Sequence, residues 1–221
     1  MKQDNNTLGK EAKIKIRANI LNEVGADRAS VLDLFCGEQG EMHAAVWSRA
    51  KNYSGVDIKY NVSDDRRRYV GDNRTFAKWL DLSKYNVFDV DSYGSPWEIM
   101  EIISKRRMWL QGTVGAVAFT DCDMRPNSGH KVMGLLRHDK IAKLAFDLHR
   151  SALSVWFSRS RVRPKKIWQL RIDGPRPRWY CGVVFEGLGR EKVSLDDVLL
   201  TKLGKQRSDS LAECRPIDGL G

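Results

Sequence analysis

No stretch of the 221 residues approaches the roughly 20 consecutive apolar positions that a membrane-spanning helix requires. The polar opening Met1-Lys-Gln-Asp-Asn-Asn-Thr7 also lacks the apolar segment of a secretion signal. A cytoplasmic protein with no membrane partner is expected. Cysteine is scarce: Cys36, Cys122, Cys181 and Cys214 lie far apart and form no C-x-x-C pair, which argues against both a zinc site and disulfides. No metal is expected. The histidines His43, His130, His138 and His149 show no ligand spacing, and Ser95 sits in no G-x-S-x-G elbow, so a Ser/His/Asp nucleophile finds no support. The dinucleotide fingerprint G-x-G-x-x-G is missing, which argues against an oxidoreductase on a similar sheet. There is no internal repeat, no low-complexity tract and no evident domain boundary. One α/β domain is expected over 1–221, with a core at about 28–186 and a loose polar tail from Leu203.

Acidic residues are also in deficit. Against 28 Asp and Glu stand 38 Lys and Arg, a formal net charge of +10. An excess of this size favours a polyanionic partner, because each phosphate that is neutralised releases condensed counterions. A basic surface kept only for solubility is the alternative. The expected nucleic-acid contacts are Arg66, Arg67, Arg68, Arg159, Arg161, Arg163, Lys165, Lys166, Arg176 and Arg178. RNA is preferred and DNA possible.

Hydrophobic periodicity sets the order of elements. Ile14, Ala18 and Leu21 fall at helical spacing over 10–24, and Gly25 stops the helix. Strands are predicted at 31–36, 53–58, 68–71, 86–91 and 113–120, and helices at 41–49, 76–80, 97–108 and 133–157. Two further strands, 167–172 and 179–185, are joined by a link too short for a crossover helix and must run antiparallel. Strands alternating with helices form a mostly parallel sheet with helices on both faces.

In such a sheet, ligands sit beyond the carboxyl ends of the strands. After the first strand comes Val31-Leu-Asp-Leu-Phe-Cys-Gly-Glu-Gln-Gly40, whose Gly37 and Gly40 allow close approach of backbone to ligand. Asp33 lies within that strand, Asp57 ends the second, and Asp72 follows the third. These features resemble the class I S-adenosylmethionine-dependent methyltransferases over roughly residues 28–186. The resemblance implies a Rossmann-like, seven-stranded sheet closed by an antiparallel hairpin. It also implies S-adenosylmethionine as cofactor, its methionine part on Asp33, Phe35 and the 37–40 loop, its ribose on Asp57 and its adenine on Asp72. Gln39 stands where the family loop often has its second glycine.

The fourth strand ends in Phe88-Asp-Val-Asp-Ser-Tyr-Gly-Ser-Pro96. An exocyclic base amine is a poor nucleophile because its lone pair is delocalised into the ring. A carboxylate at Asp91 can accept one amine hydrogen, and the Tyr93 ring can stack on the base and hold it in line. Asp, Ser, Gly and Pro also form tight turns, which is the plain alternative. The motif Asp91, Ser92, Tyr93, Gly94 resembles the D-x-D-P-[F/Y]-G-S-P segment of the tRNA guanine-26 N2-dimethyltransferase family. Ala118-Phe-Thr-Asp121 is similar to that family's threonine–aspartate segment. Ser92 replaces the motif's proline, which would loosen the turn. This resemblance implies methylation of guanine N2 in tRNA. A DNA amino-methyltransferase is an alternative, and a non-catalytic nucleic-acid-binding module that retains the fold is another. Phe35-Cys36-Gly37 is similar to the opening of DNA cytosine-C5 enzymes, but those need a Pro-Cys nucleophile and no cysteine here follows a proline.

Overall fold

The computed structural model describes residues 5–59, 66, 68–121, 145–172 and 178–189. Helix α1 spans Asn5–Val24 and buries Ala12, Ile16, Ile20, Leu21 and Val24. Ile14 and Ala18, expected inward, are only half-buried. The stripe is rotated because α1 docks against strand β7 (Arg178–Gly187) at Gly182, where an added Cβ would overlap Ile16 Cγ2. The helix stops at Gly25, whose φ of 88° is left-handed and whose N–H donates to Leu21 O at 2.9 Å.

Strands β1 (Ser30–Asp33), β2 (Asn52–Asp57), β3 (Arg68–Val70), β4 (Val87–Val90) and β5 (Val114–Asp121) run parallel to their neighbours. β6 (Val162–Ile172) and β7 complete a seven-stranded sheet in the order β3-β2-β1-β4-β5-β7-β6. β7 pairs antiparallel with both β5 and β6, so it alone runs against the rest of the described sheet. A mostly parallel α/β sheet closed by an antiparallel hairpin is the architecture expected from the alternation of elements, and its Rossmann-like, seven-stranded form is the one the resemblance implies. The order reverses between β1 and β4, and this switch point is where a ligand crevice forms.

The other described helices are α2 (Glu41–Ala45), α3 (Asn73–Trp79), α4 (Trp97–Arg106) and α5 (Ala145–Ser160), with a 3₁₀ turn at Leu82–Lys84 leading into β4. The single helix predicted over 41–49 is broken at Val46 (φ −137°, ψ −58°), followed by a short 3₁₀ turn at Trp47–Arg49. The break turns Trp47 into the interior. The first part of the helix predicted at 133–157 lies outside the described residues, as do the 173–177 link and the tail from Leu203.

Alternation along the strands divides the interior into two apolar layers. One holds Leu32, Phe88, Val90, Met100, Phe119, Trp156 and Phe185, beneath α3, α4 and α5. The other holds Ile16, Ile20, Val31, Trp47, Val87, Ala118, Tyr180 and Val184, beneath α1. Full burial of each large side chain contributes about 1.5–3 kcal/mol. Asp89 faces the α1 layer from the middle of β4, a charged residue in an otherwise apolar strand.

Candidate active site

The loop after β1 is laid across its neighbours' strand ends: Leu34 N–H donates to Asp89 O (2.9 Å) and Cys36 N–H to Val56 O (3.2 Å). Asp57, at the end of β2, then clamps it. Its Oδ2 accepts the Gly37 N–H and its Oδ1 the Lys59 N–H, both at 2.9 Å. Each oxygen keeps lone-pair capacity for an outside donor. Gly37 (φ 65°) and Gly40 (φ 62°) both occupy the left-handed region, where glycine is favoured. A Cβ at Gly37 would meet nothing within 4 Å, whereas one at Gly40 would overlap the Arg66 guanidinium. Gln39 is exposed, and Gly40 one place later supplies the loop's second left-handed residue.

Asp33 does not reach the surface. It accepts the Phe35 N–H on Oδ1 and the Tyr53 hydroxyl on Oδ2, both at 3.1 Å. Burial, with Asp89 adding to it, pushes its carboxyl well above the usual carboxylate range. Any action of Asp33 on a ligand is therefore exerted from beneath the loop. Phe35 packs half-buried against the α4-side layer. Burial first, then Asp33, pushes the Cys36 thiol up to about 12, so it stays neutral. Asp72 is exposed and caps α3, accepting the Thr75 N–H at 2.9 Å and the Thr75 hydroxyl at 3.3 Å. The Thr75 N–H is the main reason its carboxyl lies below the ordinary value.

The segment after β4 is where charge gathers. Asp91 Oδ2 lies 2.7 Å from Lys13 Nζ and 3.7 Å from Arg17 Nη2, both on α1. The Arg17 fork closes on Asp89, with Nε to Oδ2 at 2.5 Å and Nη2 to Oδ1 at 2.6 Å, and the Trp47 indole N–H adds a bond to Oδ2 at 2.8 Å. Burial alone would lower Arg17, but Asp89 and Asp91 hold it above the ordinary guanidinium value. Burial would likewise raise Asp91, and the Arg17 and Lys13 charges outweigh it, leaving the carboxyl below its usual range. Asp91 is ionised at neutral pH.

Ser92 is buried, and its hydroxyl faces two acceptors, Gly94 O at 3.0 Å and Thr120 O at 3.3 Å. Where a proline ring is absent, this hydroxyl ties the turn to β5. Tyr93 is fully exposed at the tip, with a relative exposure of 102%. A Cβ at Gly94 would meet nothing within 4 Å. Beneath the turn, Trp97 Nε1–H donates to Asp121 Oδ2 at 2.9 Å, which joins the motif to the Ala118–Asp121 end of β5.

Sequence reasoning passed over Lys13, Arg17 and Trp47. A signal was present: Lys13, Arg17, Leu21 and Val24 lie on one helical stripe, so two cations extend an apolar face. Asp89 and Asp91 are their counterparts in β4 and just after it.

The expected phosphate contacts are dispersed. Arg66 lies on the β1 loop, its Nη1 3.4 Å from Cys36 O and its Nη2 3.3 and 3.2 Å from Gly37 O and Glu38 O. Arg68 donates to Lys59 O (2.6 Å) and Arg159 approaches Glu101 (3.7 Å). Arg163 and Lys165 share Glu186 at 3.2 and 3.1 Å, and Lys166 pairs with Glu23 at 2.5 Å. Arg161 and Arg178 are exposed at the two ends of the hairpin. Arg67, Arg176, Cys122, Cys214, His130 and His138 lie outside the described residues, as does the side chain of His149. Among the described residues, no helix is long and apolar enough to cross a membrane, and no three His, Cys, Asp or Glu side chains gather as metal ligands would.

No protein-family model matches the chain, and no curated protein matches it. Solved structures do. An S-adenosyl-L-methionine complex of Trm1 from Pyrococcus horikoshii superimposes with a TM-score of 0.55 at 13% identity, over 84% of this chain and 56% of that one. The N-methyltransferase NodS from Bradyrhizobium japonicum WM9 gives 0.52 at 9% identity, over 84% of this chain and 99% of that one. A candidate hemolysin from Lactococcus lactis gives 0.52 at 14% identity, over 85% and 94%. The present chain thus spans little more than half the length of the Pyrococcus protein. At these identities the likeness is one of fold, the seven-stranded Rossmann-like sheet that this chain shares with those methyltransferase structures.

Proposed function

We propose that the chain is an S-adenosylmethionine-dependent methyltransferase that modifies an exocyclic amine of a nucleobase, with RNA preferred and guanine N2 of tRNA the leading target. One observation carries the reading: an ionised Asp91 and a fully exposed Tyr93 stand together at the end of β4, next to the glycine loop of β1. A Trm1 complex and an N-methyltransferase among the fold neighbours support it.

The residues present suit the cofactor. Open space above Gly37 admits a ligand against the backbone, and Asp57 retains acceptor capacity for two ribose hydroxyls. We assign the methionine part to the 37–40 loop, Phe35 and the underlying Asp33, and the adenine to Asp72. When bound, S-adenosylmethionine supplies a methyl group on a good sulfonium electrophile, so the chain's own contribution is positioning. Asp91 accepts one hydrogen of the base amine and lessens the delocalisation of its lone pair. The alkylated nitrogen must shed a proton, and Asp91 is assigned to receive it. Tyr93 stacks on the base, the open space at Gly94 lets the base approach, and Ser92 holds the turn that carries both neighbours. A base inside a duplex would first have to be flipped out. The basic residues supply the phosphate contacts, with RNA favoured over DNA. The sheet and its helices act as one catalytic domain, in the cytoplasm.

A second reading, a nucleic-acid-binding module without turnover, draws on the Lys13–Asp91 ion pair, which would make Asp91 purely structural. Labelled S-adenosylmethionine decides between them. The protein is incubated with it and with unmodified tRNA, total RNA or duplex DNA, and the methylated nucleoside is identified. Label in an amino-methylated nucleoside is expected, and its source separates RNA from DNA. Asp91→Ala should lower turnover at least ~100-fold while cofactor affinity changes little. No label in any pool, together with no cofactor binding, overturns the reading.

A further inference from the structure

We propose that Lys13 is a positioning residue of the methyl-transfer site: from α1 it fixes the Asp91 carboxylate through Oδ2 and so orients it toward the base amine. The inference rests on the reading of Asp91 as the amine acceptor. It makes the N-terminal helix part of the site rather than a cover for the sheet.

Three observations converge on Lys13. Its ammonium is 2.7 Å from Asp91 Oδ2, while Arg17, already forked onto Asp89, stands 3.7 Å from the same oxygen. Both cations thus approach one oxygen of the carboxylate. Lys13 also lies 5.8 Å over the ring of Tyr180, which is packed in the α1-side layer. α1 itself is seated by close contacts at both ends of this region: an added Cβ on Gly9 would come within 2.6 Å of the Tyr180 hydroxyl, and one on Gly182 would overlap Ile16. The lysine therefore emerges from a helix whose height above the sheet is set by packing, and its side chain is only 26% exposed.

Asp91 is approached by Lys13 and Arg17 from α1, with Thr120 of β5 as a further neighbour; Asp89 on β4, Asp33 on β1 and Tyr180 on β7 join the same cluster through those two cations. Asp89 is saturated by Arg17 and Trp47, and Asp33 is bonded to Phe35 and Tyr53. Lys13 is the cation in direct contact with Asp91. A buried carboxylate without that contact takes up a proton more readily, and a protonated Asp91 would donate where it must accept. The sign follows: loss of Lys13 raises the Asp91 pKa, and activity is then lost at a higher pH than in the wild type.

The test compares Lys13→Met and Lys13→Arg in the full chain. Lys13→Met should move the acid limb of kcat/KM upward by about one pH unit, a rate loss of about tenfold below the limb that shrinks at alkaline pH. Cofactor affinity should be unchanged. Lys13→Arg should restore the wild-type limb. Carboxyl NMR titration, with Asp91 assigned through Asp91→Asn, should show the same rise in Lys13→Met without reliance on turnover. A wild-type acid limb in Lys13→Met beside an inactive Asp91→Ala would overturn this proposal and spare the amine-methylation reading. Equal losses at every pH in both Lys13 variants would overturn it as well. Absence of wild-type turnover on every nucleic acid removes the methylation reading and this inference together.

Discussion

Two groups of ion pairs occupy opposite circumstances in this molecule. Under α1, Arg17 is enclosed with Asp89, Asp91 and Trp47; on the outer hairpin, Arg163 and Lys165 reach the same carboxylate, Glu186, in contact with water. The chemistry of pairing is alike and its consequences are not. In the buried group Arg17 and Asp89 have lost their hydration, so each of their partners is required. On the hairpin, water and salt compensate for any partner removed. Charge in the interior therefore organises the site, while charge on the hairpin shapes the surface field.

Removing Arg17 should break the comparison most severely. Arg17→Met leaves Asp89 buried with the Trp47 N–H as its remaining strong partner, and a loss of about 3–5 kcal/mol is expected, read by urea unfolding. A loss below 1 kcal/mol would show that the buried group is not set apart from the exposed one. Gly182→Val acts on the same helix through shape alone. The added side chain must displace Ile16 and lift α1, at a cost of about 1–3 kcal/mol. If α1 positions Lys13, the same variant should also move the acid limb of activity upward, in the direction given by Lys13→Met. Glu186→Gln is the smallest perturbation: it should leave the thermal midpoint unchanged within error. It should slightly strengthen nucleic-acid binding at low salt, because Arg163 and Lys165 lose a competing carboxylate. Weakened binding would count against the hairpin as a phosphate-contacting surface.

The hairpin also shows why some of the fold was harder to read than the rest. β6 begins at Val162, five residues before the predicted start, because Arg163-Pro-Lys-Lys166 has the composition of a charged loop. On an edge strand such residues are tolerated, and they deter pairing with another sheet. The register shift between Pro164 and Lys166 accommodates the proline. The parallel core was legible because Val31-Leu-Asp-Leu34 and Val87-Phe-Asp-Val90 are short apolar runs bounded by turn residues. The helix at 41–49 misled, since the pull of Trp47 toward Asp89 exceeded the local preference for a continuous helix.

The candidate site divides along the same line. The placement of Gly37, Asp57, Asp72, Asp91 and Tyr93 at strand ends and turns was recognisable from local sequence, because strand ends and turns are written in neighbouring residues. Local order did not reveal that Ser92 turns inward to bond Gly94 O and Thr120 O. Nor did it reveal that Arg66 folds onto the Cys36–Glu38 carbonyls instead of standing free for phosphate.

The sequence by itself determined the alternation of elements, the strand ends and the excess of basic charge, all properties of residues within a few positions of one another. Only the tertiary structure decided which charges meet. Arg17 and Asp89 are 72 positions apart, and nothing in the spacing of either names the other. Their pairing follows from the docking of α1 over β4 and β7, where burial forces each charge to take the partner within reach.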